Sequence, residues 1–230
     1  MQGKLSEKFL LDKFKTNKLH IGCGNIRLAN HVNIDIQKTP ATDITCDCRC
    51  LSNYFLDNTF EHILSNAWFE HIWLFEQESC LKSIHKVLKE NGFLYLIGLP
   101  DFEVIVDYYR KGKKVPGPYS LNKNLGNVMR YTHGLTPKHI NDKNNFQIIC
   151  QLHKSLIDKS MMEYMLKNSG FKKYIIFNYC FPKEELPLNM GVLAMKNDNE
   201  KTFKESWKKA KELSKEIVDL ETIKKWKRKK

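Results

Sequence analysis

Two glycines and an aspartate near the N-terminus are spaced as a nucleoside-binding site requires. The apolar run at residues 19–21 is followed at once by Gly22 and Gly24, which permit a sharp turn and a close approach of the backbone to a ligand. A second apolar run, residues 32–34, stops at Asp35. An acid at the end of the next parallel strand can accept two hydrogen bonds from a ribose diol. The spacing therefore predicts a nucleoside site, although the glycine turn alone also fits an ordinary pair of connected strands.

The same stretch argues against a dinucleotide cofactor. A dinucleotide fingerprint requires a third glycine and an acid about 20 residues further along the chain. Here Arg27 occupies the position of the third glycine, and Asp35 follows too early. The chain between the two apolar runs is also too short for a full helix that would hold a pyrophosphate at its N-terminus. These features favour a nucleoside without a pyrophosphate, such as S-adenosylmethionine.

The composition is typical of one generous soluble domain. The chain has 230 residues, enough to bury a substantial core, and shows neither a membrane-spanning apolar run nor a signal-peptide core. Seven cysteines are too few for a disulfide framework and odd in number, so we expect reduced thiols and a cytoplasmic protein. Cys46, Cys48 and Cys50 are spaced too closely for a zinc site, and no second ligand pair accompanies them. We therefore predict no metal site.

Short apolar runs that alternate with helical patterns predict an α/β fold, a parallel sheet with helices on both faces. Ligands of such sheets bind at the carboxyl ends of the strands. Four polar residues directly follow predicted strands: Asp35, Asp47, Asn66 and Asp101. We expect them at one edge of the sheet, and their shared position supports a ligand site more strongly than any single motif. Asp101 also follows a proline at the start of a predicted helix, where an aspartate commonly serves as the cap.

Helical spacing also predicts how the segments between the strands pack. An N-terminal helix should pack through an apolar face formed by Leu5, Phe9 and Leu10, and a helix through residues 80–88 should be closed by Asn91 and Gly92. Residues 112–155 lack a clear pattern, which predicts an irregular insert that is either disordered or a lid over a site.

Half of the formal net charge of +12 lies in the C-terminal segment. Residues 200–230 contain 12 basic and 6 acidic side chains, and apolar residues recur among them at helical spacing, from Phe203 to Trp226. We therefore divide the chain into a domain over residues 1–199 and a basic amphipathic helical tail. Lysine on one face and tryptophan on the other suit an anionic bilayer, which predicts contact with the inner face of the membrane. Packing of this helix on its own domain or on a second subunit is the alternative, and the sequence does not specify the oligomeric state.

Taken together, these segments resemble the class I S-adenosylmethionine-dependent methyltransferases, and within them a subgroup often associated with bacterial surface-polysaccharide gene clusters. The resemblance covers residues 18–171. It is carried, in order, by LHIGCGNIRLANHVNIDI, DITCDCRCL, FLDNTFEHILSNAWFEHI, IHKVLKENGFLYLIGLPDFE and HKSLIDKSMMEYMLKNSGF. It implies a Rossmann-like, doubly wound sheet in the order 3-2-1-4-5-7-6, with the last strand antiparallel.

The resemblance also implies which residues bind S-adenosylmethionine. They are Gly22, Cys23, Gly24, Asp35, Ile36, Asp47, Cys48 and Asn66. In this mapping the glycine turn passes under the methionine part, and Asp35 binds the ribose. Asp47 with Cys48 meets the adenine, and Asn66 lies near the methionine part. One position departs from the family pattern, since His20 stands where many class I enzymes place an acid for the amino group of the cofactor.

Methyl transfer to a hydroxyl requires a base that removes the proton, and three histidines are candidates. They are His71 after the fourth predicted strand, His133 in the insert, and His153 ahead of the last predicted helix. Each also has a structural interpretation. Glu70 and His71 can cap or orient the next helix, His133 can be a solvated loop residue, and His153 can make a structural hydrogen bond.

The resemblance implies an enzyme that O-methylates a sugar or another small hydroxylated precursor of a surface glycan. Two alternatives stay open: an RNA methyltransferase, suggested by the net charge, and a non-catalytic protein that binds the cofactor. The first is disfavoured because the charge is concentrated in the tail and no RNA-binding module is recognisable, so we expect no specific nucleic-acid partner.

Overall fold

A computed structural model describes residues 3–113, 115, 123–134, 150, 152–181 and 186–217 of the chain. The strands are β1 (Lys18–Ile21), β2 (Val32–Asp35), β3 (Ile44–Thr45), β4 (Phe60–Asn66), β5 (Leu88–Pro100), β6 (Lys173–Tyr179) and β7 (Asn189–Met195). They form a seven-stranded sheet in the order β3-β2-β1-β4-β5-β7-β6. Strands β1 to β5 are parallel, and β7 is antiparallel to both β5 and β6. The α/β fold, the strand order and the antiparallel strand are thus confirmed.

The helices of the described residues are α1 (Glu7–Phe14), α2 (Leu74–Val87), α3 (Phe102–Arg110), α4 (Lys123–His133), α5 (Lys159–Asn168) and α6 (Glu200–Ile217). Three of them begin at a side-chain oxygen that accepts a hydrogen bond from a backbone N–H in the first turn. These caps are Ser6 for α1, Asp101 for α3 and Asp158 for α5. Such caps satisfy N–H groups that have no partner within the helix.

Helices cover both faces of the sheet. On one face, Ile84 of α2 and Met165 of α5 belong to the same buried cluster as Ile63 of β4. On the other face, Ala210 of α6 belongs to a second cluster with Tyr95 of β5. The sheet is therefore the middle layer, and its strand ends stay available at the edges.

The predicted apolar face of α1 is largely right, and the predicted end of α2 is wrong. Leu10 is fully buried and Leu5 packs against the core, whereas Phe9 is 38% exposed. Helix α2 ends before Leu88, whose backbone is extended and pairs with β4. Asn91 and Gly92 therefore lie inside β5 and do not close the helix. The strand begins early because pairing with β4 satisfies backbone groups that one more helical turn would leave at a frayed end.

Part of the predicted irregular insert is helical. Helix α4 occupies Lys123–His133, and Tyr131 on it shares a small buried cluster with Ile105 of α3. Composition did not predict this helix because glycine and asparagine interrupt its pattern. The insert residues 114, 116–122, 135–149 and 151 lie outside the described residues.

The described part of the predicted C-terminal tail is α6, which packs on its own domain. Its apolar side chains against the sheet are Phe203, Trp207, Ala210 and Leu213. The hydroxyl groups of Ser214 on α6 and Tyr95 on β5 are hydrogen-bonded to each other. Residues 218–230 lie outside the described residues, and membrane contact by the tail stays a prediction. Within the described ranges, no helix is both long and apolar enough to span a bilayer.

Candidate active site

The carboxyl ends of four parallel strands meet at one edge of the sheet. Ile21 of β1 lies opposite Ile34 of β2 and Ser65 of β4, and Asp35 lies opposite Thr45 of β3. Strand order reverses at β1, and such a switch point is where doubly wound sheets bind ligands. At or directly after these strand ends stand four of the predicted site residues, Gly22, Asp35, Asp47 and Asn66.

Both glycines of the turn after β1 have left-handed backbone conformations, with φ of +65° at Gly22 and +51° at Gly24. A Cβ at Gly24 would meet no heavy atom within 4 Å, so the chain there faces open space. A Cβ at Gly22 would stand 2.5 Å from Cδ1 of Trp68. The prediction that the backbone of this turn is open to a ligand therefore agrees with the space at Gly24. At Gly22 the space on the Cβ side is occupied by the indole ring of Trp68.

The carboxylate of Asp35 is fixed to this turn by two backbone groups. The N–H of Gly24 donates to Oδ2 at 2.9 Å, and the N–H of Gln37 donates to Oδ1 at 2.9 Å. The side chain is half-buried. Since each carboxylate oxygen can accept a further hydrogen bond, both retain acceptor capacity for a ribose diol.

Two aliphatic side chains close to this carboxylate in sequence are exposed. Ile36 follows Asp35 directly and is 48% exposed, and Ile26, two residues after Gly24, is 62% exposed. Contact with a flat apolar ring such as adenine would remove this area from water. Sequence reasoning included Ile36 and missed Ile26, for which the only signal was its place in the turn.

Asp47 lies at the same edge, but its carboxylate already has partners. It caps the short 3-10 helix Cys48–Asn53 by accepting the N–H of Arg49 at 2.9 Å. It also pairs with the Arg49 guanidinium, at 2.7 Å between Nη2 and Oδ2. An adenine contact at Asp47 would therefore require Arg49 to release part of the carboxylate.

The side chains of the two cysteines at this edge, Cys23 and Cys48, are buried in the protein interior. Cys48 is buried, and that burial raises the pKa of its thiol well above the usual range. Cys23, between the two glycines, is 3% exposed, and its Sγ lies 3.7 Å from the hydroxyl oxygen of Thr42. At both positions, only the backbone would be available to contact a ligand bound at this edge of the sheet.

The end of β4 carries two buried polar atoms that have no hydrogen-bond partner among the described residues, Oγ of Ser65 and Oδ1 of Asn66. Leaving a buried acceptor unpaired costs roughly 1–3 kcal/mol, so a hydrogen-bond donor from a ligand would stabilise this strand end. The ammonium group of S-adenosylmethionine is a donor of this kind. With the open face at Gly24 and the two acceptors of Asp35, the residues at this edge fit that cofactor.

The departure from the family pattern at His20 is explained by a contact within the sheet. Its Nδ1 lies 3.0 Å from Oδ1 of Asn33 on the neighbouring strand. The imidazole is buried, and burial lowers its pKa. His20 is therefore a neutral group engaged on the face of the sheet.

Two of the three predicted catalytic histidines are brought together. The ring centroids of His71 and His153 are 5.1 Å apart in an edge-to-face arrangement. Nδ1 of His71 lies 3.0 Å from the carbonyl oxygen of Leu152, and Nδ1 of His153 lies 2.6 Å from that of Tyr131. Because a carbonyl only accepts, both Nδ1 atoms carry the proton. Burial lowers the pKa of His153 to about 4, so this imidazole is neutral at neutral pH.

The third histidine, His133, reaches this pair through its backbone. Its carbonyl oxygen accepts the N–H of His153 at 3.1 Å, whereas its ring lies beside the hydroxyl of Thr132 at 2.8 Å. Asp101, the other polar residue predicted at the edge, caps α3 and accepts from Nδ2 of Asn178 at 2.7 Å. Its observed partners are those of a structural residue.

Sequence reasoning missed Glu70 as a site residue. Its side chain is 3% exposed, and Oε2 has no partner within the described part of the chain. Burial raises the pKa of this carboxyl group to about 8. The signal was the Glu-His pair after the fourth strand, for which the sequence left open a catalytic His71 or a pair that caps or orients the next helix. The capping alternative is wrong, because α2 begins at Leu74 without a side-chain cap.

The chain is similar to known proteins in part of its sequence and in its fold. Residues 19–96, from β1 into β5, match the family model of a methyltransferase domain. The fold is similar to that of a SAM-dependent methyltransferase from Methanosarcina mazei, with a TM-score of 0.51 and 15% identity over 79% of this chain and 92% of that chain. For a SAM-dependent methyltransferase from Archaeoglobus fulgidus, the TM-score is 0.48 at 10% identity over 82% and 91%. A search of curated proteins finds no match.

Proposed function

We propose that this chain, an S-adenosylmethionine-dependent methyltransferase of the class I fold, methylates a hydroxyl group of a sugar or of another small hydroxylated precursor of a surface glycan. The proposal depends on one observation: two features suited to methyl transfer occur at the same edge of the sheet. A turn suited to a nucleoside lies at β1, and after β4 the buried Glu70 and the half-buried His71 form a cluster with the half-buried His153. The choice of a glycan precursor is supported by the sequence resemblance over residues 18–171.

On the donor side, the chain offers a partner for each part of the cofactor. When bound, S-adenosylmethionine supplies a sulfonium methyl group. We assign Asp35 to the ribose, Ile36 and the backbone of Cys48 to the adenine, and Oδ1 of Asn66 to the ammonium. The turn through Gly22 and Cys23 would pass beneath the methionine part. Support comes from the two fixed oxygens of Asp35 and from the unpaired oxygen of Asn66.

On the acceptor side, the chain must orient a hydroxyl and receive its proton. In-line transfer depends mainly on the alignment of the two reacting groups. Trp68, between Asn66 and Glu70 in sequence, packs on Gly22 and links the two halves of the site. The imidazole of His153, which is neutral at neutral pH, lies beside Glu70 and His71 and supplies a lone pair that can receive this proton.

The donor site is tested first by calorimetric titration of the purified chain with S-adenosylmethionine. Asp35→Ala should lose most of the affinity, whereas Asp12→Ala, an exposed acid on α1, should retain it. Equal affinity in the two variants would contradict the assigned site.

The acceptor is tested with methyl-labelled cofactor and a panel of nucleotide sugars, glycolipid precursors and short RNAs. Label in an ether linkage on a sugar supports the proposal. Label on RNA or on an amine, or no transfer to any sugar while the cofactor binds, contradicts the proposed acceptor.

A further inference from the structure

The side chains of Glu70, His71 and His153 converge after the end of β4, in the segment whose Trp68 packs on Gly22. Glu70 and His71 belong to the short 3-10 helix after β4, and His153 lies 82 positions after His71. One ligand atom from each of the three side chains lies within 4.8 Å of the other two. We propose that these three side chains bind a divalent transition-metal ion, which receives the oxygen atoms of the methyl acceptor.

In both histidines one ring nitrogen is hydrogen-bonded to a backbone carbonyl, an arrangement that is typical of metal-binding histidines. Nδ1 of His71 donates to the carbonyl of Leu152, and Nδ1 of His153 donates to the carbonyl of Tyr131. A backbone carbonyl on one ring nitrogen fixes the ring and directs the lone pair to the other nitrogen, Nε2. In His71, Nε2 is the atom that faces Glu70, at 3.8 Å from Oε1.

The buried carboxyl group of Glu70 is only partly satisfied by hydrogen bonds in the described structure. The side chain is 3% exposed, and Oε2 is buried without a hydrogen-bond partner. The contact of 3.8 Å to His71 is too long for a hydrogen bond, so the imidazole does not satisfy the acid. A buried carboxylate is stable when it is paired or when it binds a cation.

The spacing suits an ion placed between the side chains. Tetrahedral coordination with bonds of about 2.1 Å separates neighbouring ligand atoms by about 3.4 Å, close to the observed Glu70–His71 distance. Because all three ligand atoms lie within 4.8 Å of one another, a modest inward movement of the side chains brings them around one ion. Two nitrogens and one oxygen favour zinc, cobalt, nickel or iron over magnesium and calcium, which prefer oxygen ligands.

Three protein ligands leave coordination positions open, as in catalytic metal sites. With the ion bound, the imidazole lone pairs are used as ligands, and the ion instead lowers the pKa of the bound acceptor hydroxyl so that its proton passes to water. The role of the ion in holding the acceptor rests on the proposed function, because it requires a methyl donor next to the cluster. The binding of the ion does not, since it depends only on the three side chains. An experiment can therefore contradict the metal site without contradicting the proposed methyl transfer, and the reverse.

The experiment uses the full chain, freed of metal with a chelator, and Co²⁺ as the probe. Binding is followed by the visible absorption of the bound ion, and cofactor binding is measured by calorimetry on the same samples. We expect one Co²⁺ per chain, displaced by Zn²⁺. In His153→Ala and Glu70→Gln the affinity should fall by more than about 100-fold, beyond what outer-shell changes cost. His85→Asn, a histidine on α2 outside the cluster, is the matched control and should keep it.

Retained cofactor binding in His153→Ala shows that the variant is folded. Absence of a Co²⁺ spectrum in the wild-type chain, or equal Co²⁺ affinity in His153→Ala and His85→Asn, overturns the metal site. Loss of Co²⁺ in the cluster variants together with no cofactor binding in the wild type leaves the metal site standing and overturns the donor site instead.

Discussion

The indole of Trp68 lies on the Cβ side of Gly22, so the segment after β4 packs directly on the turn after β1. The proposed donor turn is therefore in contact, at Gly22, with the segment that leads to the proposed acceptor cluster. The other glycine of the turn, Gly24, faces open space. A glycine is needed at position 22 because Trp68 packs there, whereas at position 24 we expect it to leave room for a ligand.

We expect alanine at the two glycines to have different consequences. Gly22→Ala combines a left-handed backbone, which costs an alanine about 1–2 kcal/mol, with a methyl group 2.5 Å from the indole. It should lose about 3 kcal/mol of unfolding free energy in urea titrations. Gly24→Ala should lose only about 1 kcal/mol, yet bind S-adenosylmethionine more weakly because its methyl group enters the open space. If Gly24→Ala were the less stable variant, the packing role of Gly22 would be wrong.

The second prediction concerns the tie between Asp35 and the turn. In Asp35→Asn, one amide oxygen can still accept a backbone N–H, but the amide nitrogen cannot accept from Gly24 or from a ribose hydroxyl. We expect at least about a tenfold loss of cofactor affinity, with a stability loss of about 1–2 kcal/mol. Calorimetry and urea unfolding measure the two effects, and an unchanged affinity would mean that the carboxylate faces away from the ligand.

The third prediction concerns two buried histidines on the face of the sheet. Nδ1 of His31 donates to the carbonyl of Ala29 at 2.7 Å, so its Nε2 must accept from Nε2–H of His62, also at 2.7 Å. Burial lowers the pKa of His31 to about 4 and also lowers the pKa of His62. Both rings are therefore neutral in the folded chain at neutral pH.

Because both pKa values lie below that of an unfolded histidine, the unfolded chain binds more protons between about pH 6.5 and pH 4. Stability should be fully present above pH 6.5 and fall as the pH drops towards 4, by about 3 kcal/mol for His31 alone. Urea unfolding at several pH values should show a shallower slope for His31→Asn, whose amide can still donate to Ala29. Equal slopes in the two proteins would contradict a buried neutral pair.

The fourth prediction concerns α6. Ala210 is fully buried against the sheet, and Lys208, two residues earlier, is exposed. Ala210→Asp should lose about 3 kcal/mol or more, because it buries a charge, whereas Lys208→Asp should change unfolding free energy by less than about 0.5 kcal/mol. If Ala210→Asp changed the free energy of unfolding as little as Lys208→Asp does, the packing of α6 would contribute little to the stability of the domain.

Most of the donor edge was predictable because it depends on short-range patterns. Gly22, Gly24 and Asp35 directly follow apolar runs, and parallel strands bring their carboxyl ends to one edge. The strand order was implied only by the family resemblance, since periodicity does not state which strands are neighbours. Asp47 shows the limit of such patterns, because its partner Arg49 was not identified from sequence.

The sequence by itself determined the class of fold and the nucleoside-type edge, because glycine conformation and strand alternation are local properties. Only the tertiary structure decided that Glu70, His71 and His153 form one cluster, that Trp68 fills the space beside Gly22, and that α6 lies on the sheet. These contacts join residues far apart in the chain. Whether a polar side chain is buried or paired depends on such neighbours, and residue spacing carries no record of them.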